Sequence, residues 1–554
     1  MRRSLAPAIV ALSLALAGCA STKSAPVASA PPTAPPRLIV AIAVDQFSAD
    51  LFAEYRNHFT AGLARLQQGA VFPSGYQSHA ATETCPGHST LLTGAHPSRT
   101  GIIANNWFDP GLTRADKKVY CAEDERDPAS TSGNPVVSAV HLKVPTLGER
   151  MKAVWPTSRN VAVSAKDRAV IMMGGHFIDE AYWWKNGAFV TLAGQALAPA
   201  VTIENTVLTM RIKRGEAGYA VPAWCAARER EVKAGPASVG TGHFAMEPGK
   251  EPQFRVSPRM DAATADLAIG LTDAMNLGRS AAPDILSVSF SATDYVGHAT
   301  GTEGVEMCIQ LAELDRSIGR LLDHLDLRGI DYAVMLSADH GGLDLPERLA
   351  AQAVPQATRA DRALLAGALA KAVSQQTGIA TPDPLIYADG PFGDYYLSHR
   401  LSSVQKAQVL AALVPMLKAH PQVAAVFTAT ELAEAPLPVG SPQDWSLKDR
   451  ARASFDPVRS GDLVVLLDRA VVPITDPSPG YVATHGSAWD YDRRVPILFW
   501  RKGVPGLEQP APVETVDIAP TLIAMLGLPV PEGAYDGRCL DIDGSAANSC
   551  EGPK

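Results

Sequence analysis

The chain of 554 residues is long enough for one large α/β core or for two or three domains. With 46% hydrophobic and 19% charged residues it fits neither a wholly disordered chain nor a multi-span membrane protein. A net charge of −8 without a basic stripe argues against a nucleic-acid partner.

The chain begins with what reads as an address. Arg2 and Arg3 precede an apolar run from Leu5 to Leu16, about a dozen residues where a spanning helix needs roughly 20. Leu16-Ala17-Gly18-Cys19 resembles the cleavage box of bacterial lipoproteins. Residues 1–19 are therefore expected to be a signal peptide, Cys19 an acylated membrane anchor, and the mature protein periplasmic. Residues 20–36, rich in Ala, Pro, Ser and Thr, read as a solvated tether. Beyond Cys19 stand Cys85, Cys121, Cys225, Cys308, Cys539 and Cys550, an even number in an oxidising compartment, which permits up to three disulfides in about fifteen connectivities, nearest-neighbour pairing being the one chosen here. None has the CxxC spacing of a thiolate zinc site.

Apolar runs at Leu38–Val44, Asn160–Ser164, Ile285–Phe290, Tyr332–Leu336, Leu463–Leu467 and Val495–Trp500 read as buried parallel strands. Helical periodicity separates several of them, notably over Val305–Leu325 and from Thr515–Pro520 onward. The alternation predicts an α/β fold, a mostly parallel sheet sandwiched by helices, with its ligand beyond the carboxyl ends of the strands. Residues 37–342 and 481–554 are assigned to this catalytic domain. The Ala-, Gln- and Pro-rich segment 343–480, with an amphipathic stretch over Asp361–Gln375, reads mainly as an inserted cap or accessory region.

Polar residues follow the strands where that ligand would lie. Asp45 follows Leu38–Val44, Asp294 and His298 follow Ile285–Phe290, Asp339 and His340 follow Tyr332–Leu336, and His485 stands in Thr484-His485-Gly486. A mixed carboxylate and imidazole set suits zinc, whereas magnesium and calcium prefer oxygen alone. Gly297 is expected to let Asp294 and His298 bend onto one ion, and Gly341 and Gly342 to leave room for an ion or phosphate. Each residue alone is as readily a cap or turn residue; four such places together are hard to dismiss. Thr84-Cys85-Pro86-Gly87-His88-Ser89, leading into a helix-like run, adds a hydroxyl that metal coordination can activate, at a helix start that favours anions.

Asp45, Thr84-x-Pro86-x-His88, the Gly101–Trp107 segment with Asn105, Asp294-x-x-Gly297-His298, Asp339-His340-Gly341 and Thr484-His485-Gly486 occur in the order seen in the alkaline phosphatase superfamily. The likeness covers Leu38 to about Cys539. It resembles the periplasmic, phosphate-irrepressible type with a threonine nucleophile, which is similar to nucleotide pyrophosphatase/phosphodiesterases. The resemblance implies two zinc ions per subunit, one held by Asp294, His298 and His485 and one by Asp45, Asp339 and His340, with Thr84 beside the second. It further implies that Asn105, Lys166 and Arg168 bind the phosphoryl oxygens and that small phosphate monoesters are hydrolysed through a phosphothreonine. A phosphodiesterase would use the same ligands, and a phosphate-binding lipoprotein without turnover would keep the fold. A sulfatase would need C-x-P-x-R, whereas Cys85 directly precedes Pro86.

Overall fold

The computed structural model describes residues 34–528, 531–544 and 548–550. The signal peptide, Cys19 and residues 20–33 of the tether lie outside that range. No helix among the described residues is long and apolar enough to cross a membrane.

Seven strands form the body of a ten-stranded sheet: β1 (Leu38–Val44), β2 (Ala70–Tyr76), β3 (Asn160–Ser164), β4 (Glu180–Lys185), β5 (Asp284–Phe290), β6 (Tyr332–Ser337) and β7 (Arg494–Arg501). Their order is β2-β7-β6-β1-β5-β3-β4. Every residue of β1, β3, β5 and β6 is buried, which is why these segments read as continuous apolar runs rather than alternating ones. Along β1 the period-two alternation feeds two cores. Leu38, Val40, Ile42 and Val44 belong with Leu311, Leu314, Ile318, Leu321 and Leu322 to the core on one face, while Ile39, Ala41 and Ala43 belong with Leu91, Leu92, Ile518 and Leu522 to the core on the other.

The expectation of a mostly parallel sheet holds for β1 with β5 and β6, β5 with β3, and β3 with β4. It does not hold for Val495–Trp500. That run lies in β7, which pairs antiparallel with both β6 and β2. Full burial on both faces gives the same apolar run for either strand direction, so composition could not reveal this one. Reversal matters for the site, because β7 presents its amino end at the edge where its neighbours present their carboxyl ends.

Leu463–Leu467 is also antiparallel, and lies in a second, four-stranded sheet with Ile386–Tyr387, Gly393–Leu397 and Val423–Thr428. This sheet has its own apolar cluster, including Leu369, Val373, Leu413 and Val465. The amphipathic stretch Asp361–Gln375 spans a 3-10 turn (Arg362–Leu364) and most of a helix (Ala366–Thr377), separated by Leu365, which is extended at φ −67°, ψ 140°.

The cysteines pair as nearest neighbours: Cys85–Cys121, Cys225–Cys308 and Cys539–Cys550. Cys225–Cys308 spans a sequence separation of 83 residues, between a surface turn and the long helix Val305–Leu327. Long loops lose the most unfolded-state entropy when cross-linked. Replacing both cysteines by serine should therefore lower stability by about 2–5 kcal/mol, read as an earlier urea midpoint. An unchanged midpoint would mean that this bond does not constrain the unfolded chain.

Candidate active site

The polar residues named from sequence meet at one edge of the main sheet. Asp45 directly follows β1, and Asp339 and His340 lie two and three residues past β6. Asp294 and His298 sit on α3 (Ala292–Thr300), which follows β5, while Lys166 and Arg168 stand at the start of α2 (Asp167–Gly174), after β3. His485 comes from the loop that enters β7, and reaches this edge because β7 is reversed. Thr84 is the first residue of α1 (Thr84–Thr93), and is almost wholly buried.

Two groups of three buried side chains hold donor atoms within 4.8 Å of one another: Asp294, His340 and His485, and Asp45, His88 and Asp339. His298 joins the first, its Nε2 lying 3.2 Å from Asp294 Oδ1, with His485 Nε2 3.3 Å from that same oxygen. His340 stands between the groups. Its Nε2 is 3.2 Å from Asp339 Oδ2, and its ring stacks on that of His485 at 3.6 Å.

The imidazoles are set to offer lone pairs. Nδ1 of His298 donates to the Ala483 carbonyl at 2.9 Å, that of His340 to the Gly341 carbonyl at 2.9 Å, and that of His485 to the Thr82 carbonyl at 2.8 Å. A carbonyl only accepts, so each neutral ring must carry its proton on Nδ1 and leave Nε2 free. Asp294 Oδ1, Asp339 Oδ2 and His340 Nε2 are buried without a hydrogen-bond partner of acceptable geometry. Converging buried acceptors that no protein donor satisfies fit metal cations. Burial with the neighbouring His340 pushes His485 down to about 4, which keeps it neutral and ligand-competent.

Lys166 lies between the two groups. Its ammonium is 2.5 Å from Asp294 Oδ2 and 2.8 Å from Asp45 Oδ2. Burial opposes its charge, yet these two carboxylates outweigh that and raise its pKa. Lys166 Nζ and an Arg168 guanidinium nitrogen are each 3.4 Å from Thr84 Oγ1. Asn105 is oriented by α1 itself: the Cys85 N–H donates to Asn105 Oδ1 at 2.8 Å, which leaves the Asn105 amide N–H groups to point elsewhere. The Asn105 backbone N–H in turn donates to Glu83 Oε2 at 2.8 Å, and Cys85–Cys121 ties α1 to the segment that follows Asn105. Thr84, Asn105, Lys166 and Arg168 are thus brought together beside both groups.

The glycines act differently from the sequence expectation. Asp294 and His298 converge without a bend, because positions four apart share one face of α3. At Gly297 a Cβ would fall 1.6 Å from Gln46 Oε1, so the space beside it is taken by the Gln46 side chain, which a larger residue would have to displace. Gly341 and Gly342 likewise face Tyr491 and Gln46, with a Cβ at Gly341 meeting the Tyr491 carbonyl at 2.2 Å; the room they leave is filled by protein. Gly87 lets α1 approach the segment after β6, as a Cβ there would meet the Asp339 carbonyl oxygen at 1.9 Å.

The sequence shows His88 as part of a motif and gives it no role. It is wholly buried, with Nδ1 2.9 Å from the Thr84 carbonyl and 3.2 Å from Asp339 Oδ2. Its Nε2 is 3.0 Å from Ser289 Oγ and 3.3 Å from Asp45 Oδ1. Burial works against its charge, but Asp339 and Asp45 prevail and lift its pKa to about 10. Ser289, which donates to Asp45 Oδ1 at 2.9 Å, was also missed; a lone serine in a buried strand carries no local signal. A cavity of about 250 Å³ is lined by Asn105, Arg168 and His485 of the site and also by Phe108, Phe392 and Tyr396.

Residues 39–488 match the family described as type I phosphodiesterase / nucleotide pyrophosphatase. The chain is 53% identical over 522 residues to alkaline phosphatase PhoK of Sphingomonas sp, covering 94% of this chain and 93% of that one. It is 51% identical over 517 residues to alkaline phosphatase PhoD of Zymomonas mobilis subsp. mobilis, covering 93% and 89%. The crystal structure of wild type alkaline phosphatase PafA is similar at a TM-score of 0.79 and 26% identity, over 91% of this chain and 98% of that one.

His88 braces one carboxylate from each of two strand ends, and outer partners of metal ligands typically contribute about 10–100-fold to metal affinity. His88→Gln should weaken metal binding by about 10-fold or more in a chelator competition while leaving the far-ultraviolet dichroism unchanged. Wild-type affinity in that variant would reduce His88 to core packing.

Proposed function

The chain belongs to the type I phosphodiesterase / nucleotide pyrophosphatase family, and from that membership we propose a zinc-dependent phosphomonoesterase of broad specificity that uses Thr84 as nucleophile and releases inorganic phosphate. The observation that carries this reading is the pair of cations at the Thr84 hydroxyl, Lys166 and Arg168, each 3.4 Å from Oγ1. A monoester brings a nearly dianionic phosphoryl group with no second ester substituent. Extra cations beside the attacked phosphorus stabilise it more than they stabilise a diester.

Asp294, His298 and His485 would hold one zinc ion, and Asp45, Asp339 and His340 the other with Thr84 beside it. Such ions supply Lewis acidity toward phosphoryl and leaving-group oxygens, and lower the pKa of a hydroxyl or water. Thr84 Oγ1 attacks phosphorus in line with the departing alcohol oxygen. The P–O bond to the alcohol breaks as the bond to Thr84 forms, and a phosphothreonine results. Water then displaces Thr84, so the net products are the alcohol and inorganic phosphate. Throughout, Lys166 and Arg168 stay against the phosphoryl oxygens and Asn105 donates an N–H, while the burial of Thr84 limits solvent at its hydroxyl.

Residues 37–342 and 481–554 form the catalytic domain in this reading, and 343–480 mainly a cap that shapes access. Export and a lipid anchor at Cys19 complete it, placing the enzyme in the periplasm against small phosphate esters.

The deciding measurement is kcat/KM for a matched aryl phosphate monoester and diester, with metal content determined on the same samples. The wild type should prefer the monoester, lose activity to a chelator and recover it with zinc. Lys166→Ala should lose about 100-fold on the monoester and much less on the diester. Equal losses would move the chemistry to a phosphodiesterase. Thr84→Ala should abolish acid-trapped phosphothreonine with metal content intact, and unchanged turnover in that variant would remove Thr84 as nucleophile.

A further inference from the structure

The cavity that adjoins the phosphate-binding groups is where the alcohol half of a monoester would lie. The aromatic side chains of Phe108, Phe392 and Tyr396 line it together with three carboxylates, Glu83, Asp389 and Asp394. Among the described residues that line it, Arg168 is the one lysine or arginine, and it lies against Thr84.

The carboxylates differ in how they are compensated. Asp389 pairs with Lys118 and accepts from Asn106 Nδ2 at 2.9 Å, so its charge is largely answered. Asp394 accepts the Gly461 N–H, at 2.7 Å, and Glu83 accepts the Asn105 N–H. Neither has an ion-pair partner among the described residues. Burial raises Asp394 to about 6, and no protein cation opposes that shift. At neutral and alkaline pH it is therefore an ionised group at the wall of a partly desolvated cavity.

Phe392 lies against the loop that carries His485. A Cβ at Gly486, next to His485, would fall 2.9 Å from the Phe392 ring, so a glycine there lets the ring close on the loop. Phe108 and Tyr396 stand beside each other with centroids 5.9 Å apart. The Lys118 ammonium already lies over the Phe108 ring, 5.7 Å from its centroid, so Phe392 and the carboxylate of Asp394 are the groups left to attract an organic cation and repel an anion.

We propose that this cavity is a leaving-group subsite selective for phosphate monoesters of cationic alcohols, of the amino-alcohol or quaternary-ammonium class, with Asp394 and Phe392 as specificity-determining residues. This rests on the phosphomonoesterase reading. The phosphoryl group is held on Thr84, Asn105, Lys166 and Arg168, and the ammonium head lies against Phe392 and Asp394. An ester whose alcohol bears a carboxylate meets the same wall as repulsion.

The test compares kcat/KM for choline phosphate, for its uncharged carbon isostere dimethylbutyl phosphate, and for a carboxylate-bearing alkyl phosphate of similar length, with phenyl phosphate as reference. The metal-loaded full-length enzyme is used. Choline phosphate should exceed the isostere by about 10-fold, the scale of one cation–π contact reinforced by a carboxylate, and the carboxylate ester should fall below both. Asp394→Asn keeps an oxygen for the Gly461 N–H and should collapse the choline-to-isostere ratio toward one. Phe392→Leu should reduce the same ratio. Equal values for the three alkyl esters, with phenyl phosphate turned over normally, would overturn this inference alone. An unaltered ratio in both variants would overturn the assignment of these residues. No turnover of phenyl phosphate would overturn the phosphomonoesterase reading, and the inference with it.

Discussion

Three carboxylates, Asp45, Asp294 and Asp339, are buried within one small volume at the edge of the main sheet, and the site is organised around compensating them. Burying an ionised carboxylate without a partner costs several kcal/mol even after relaxation, and like charges add to that cost. Lys166 answers part of it by bridging Asp45 and Asp294, and His88 answers another part between Asp45 and Asp339. Imidazoles whose Nε2 atoms point at the same carboxylate oxygens, where they serve as neutral ligands, need a cation of their own. The arrangement suits divalent metal ions.

That constraint fixes what surrounds it. The metal-facing side chains come from different strand ends, so β1, β5 and β6 must keep their register, and their complete burial in two facing cores supplies the rigidity. α1 has to come close enough to put Thr84 among the cations, and Gly87 permits this against the Asp339 backbone. Asn105 is held through the Cys85 N–H and the Cys85–Cys121 bond, so Thr84 and Asn105 are kept together as one unit. Oriented donors and cations that need little reorganisation are the economical way to stabilise charge developing on a phosphoryl group.

The second sheet brings a different kind of control. Phe392, Asp394 and Tyr396, in or beside its strand Gly393–Leu397, line the cavity at the site together with Phe108 from outside that sheet. In the proposed reading, phosphoryl chemistry and recognition of the alcohol would be divided between the two sheets. Changes in the cavity wall would then alter which ester enters without touching the groups that attack phosphorus.

Much of this was legible in the amino-acid sequence, for local reasons. Fully buried strands leave continuous apolar runs, and polar residues follow them within a few positions, so Asp45, Asp294, Asp339 and His340 could be named as candidates from position and residue type. The even cysteine count was equally open to reading, whereas the pairing, one of about fifteen that six cysteines allow, was settled by which of them the fold brings together. Other features were decided only by the tertiary structure. The direction of β7 depends on which neighbours it pairs with, and no apolar run records that. Gly297, Gly341 and Gly342 looked like room for a ligand, yet the space beside them is taken by Gln46 and Tyr491, which arrive from distant parts of the chain. His88 and Ser289 acquire a role only when α1 and β5 set them beside buried carboxylates. The sequence determined which chemical groups are available and roughly where strands end; the packing of those ends against one another determined which groups share a charge, a proton or a wall, because such interactions depend on distances across the fold that neighbouring residues do not encode.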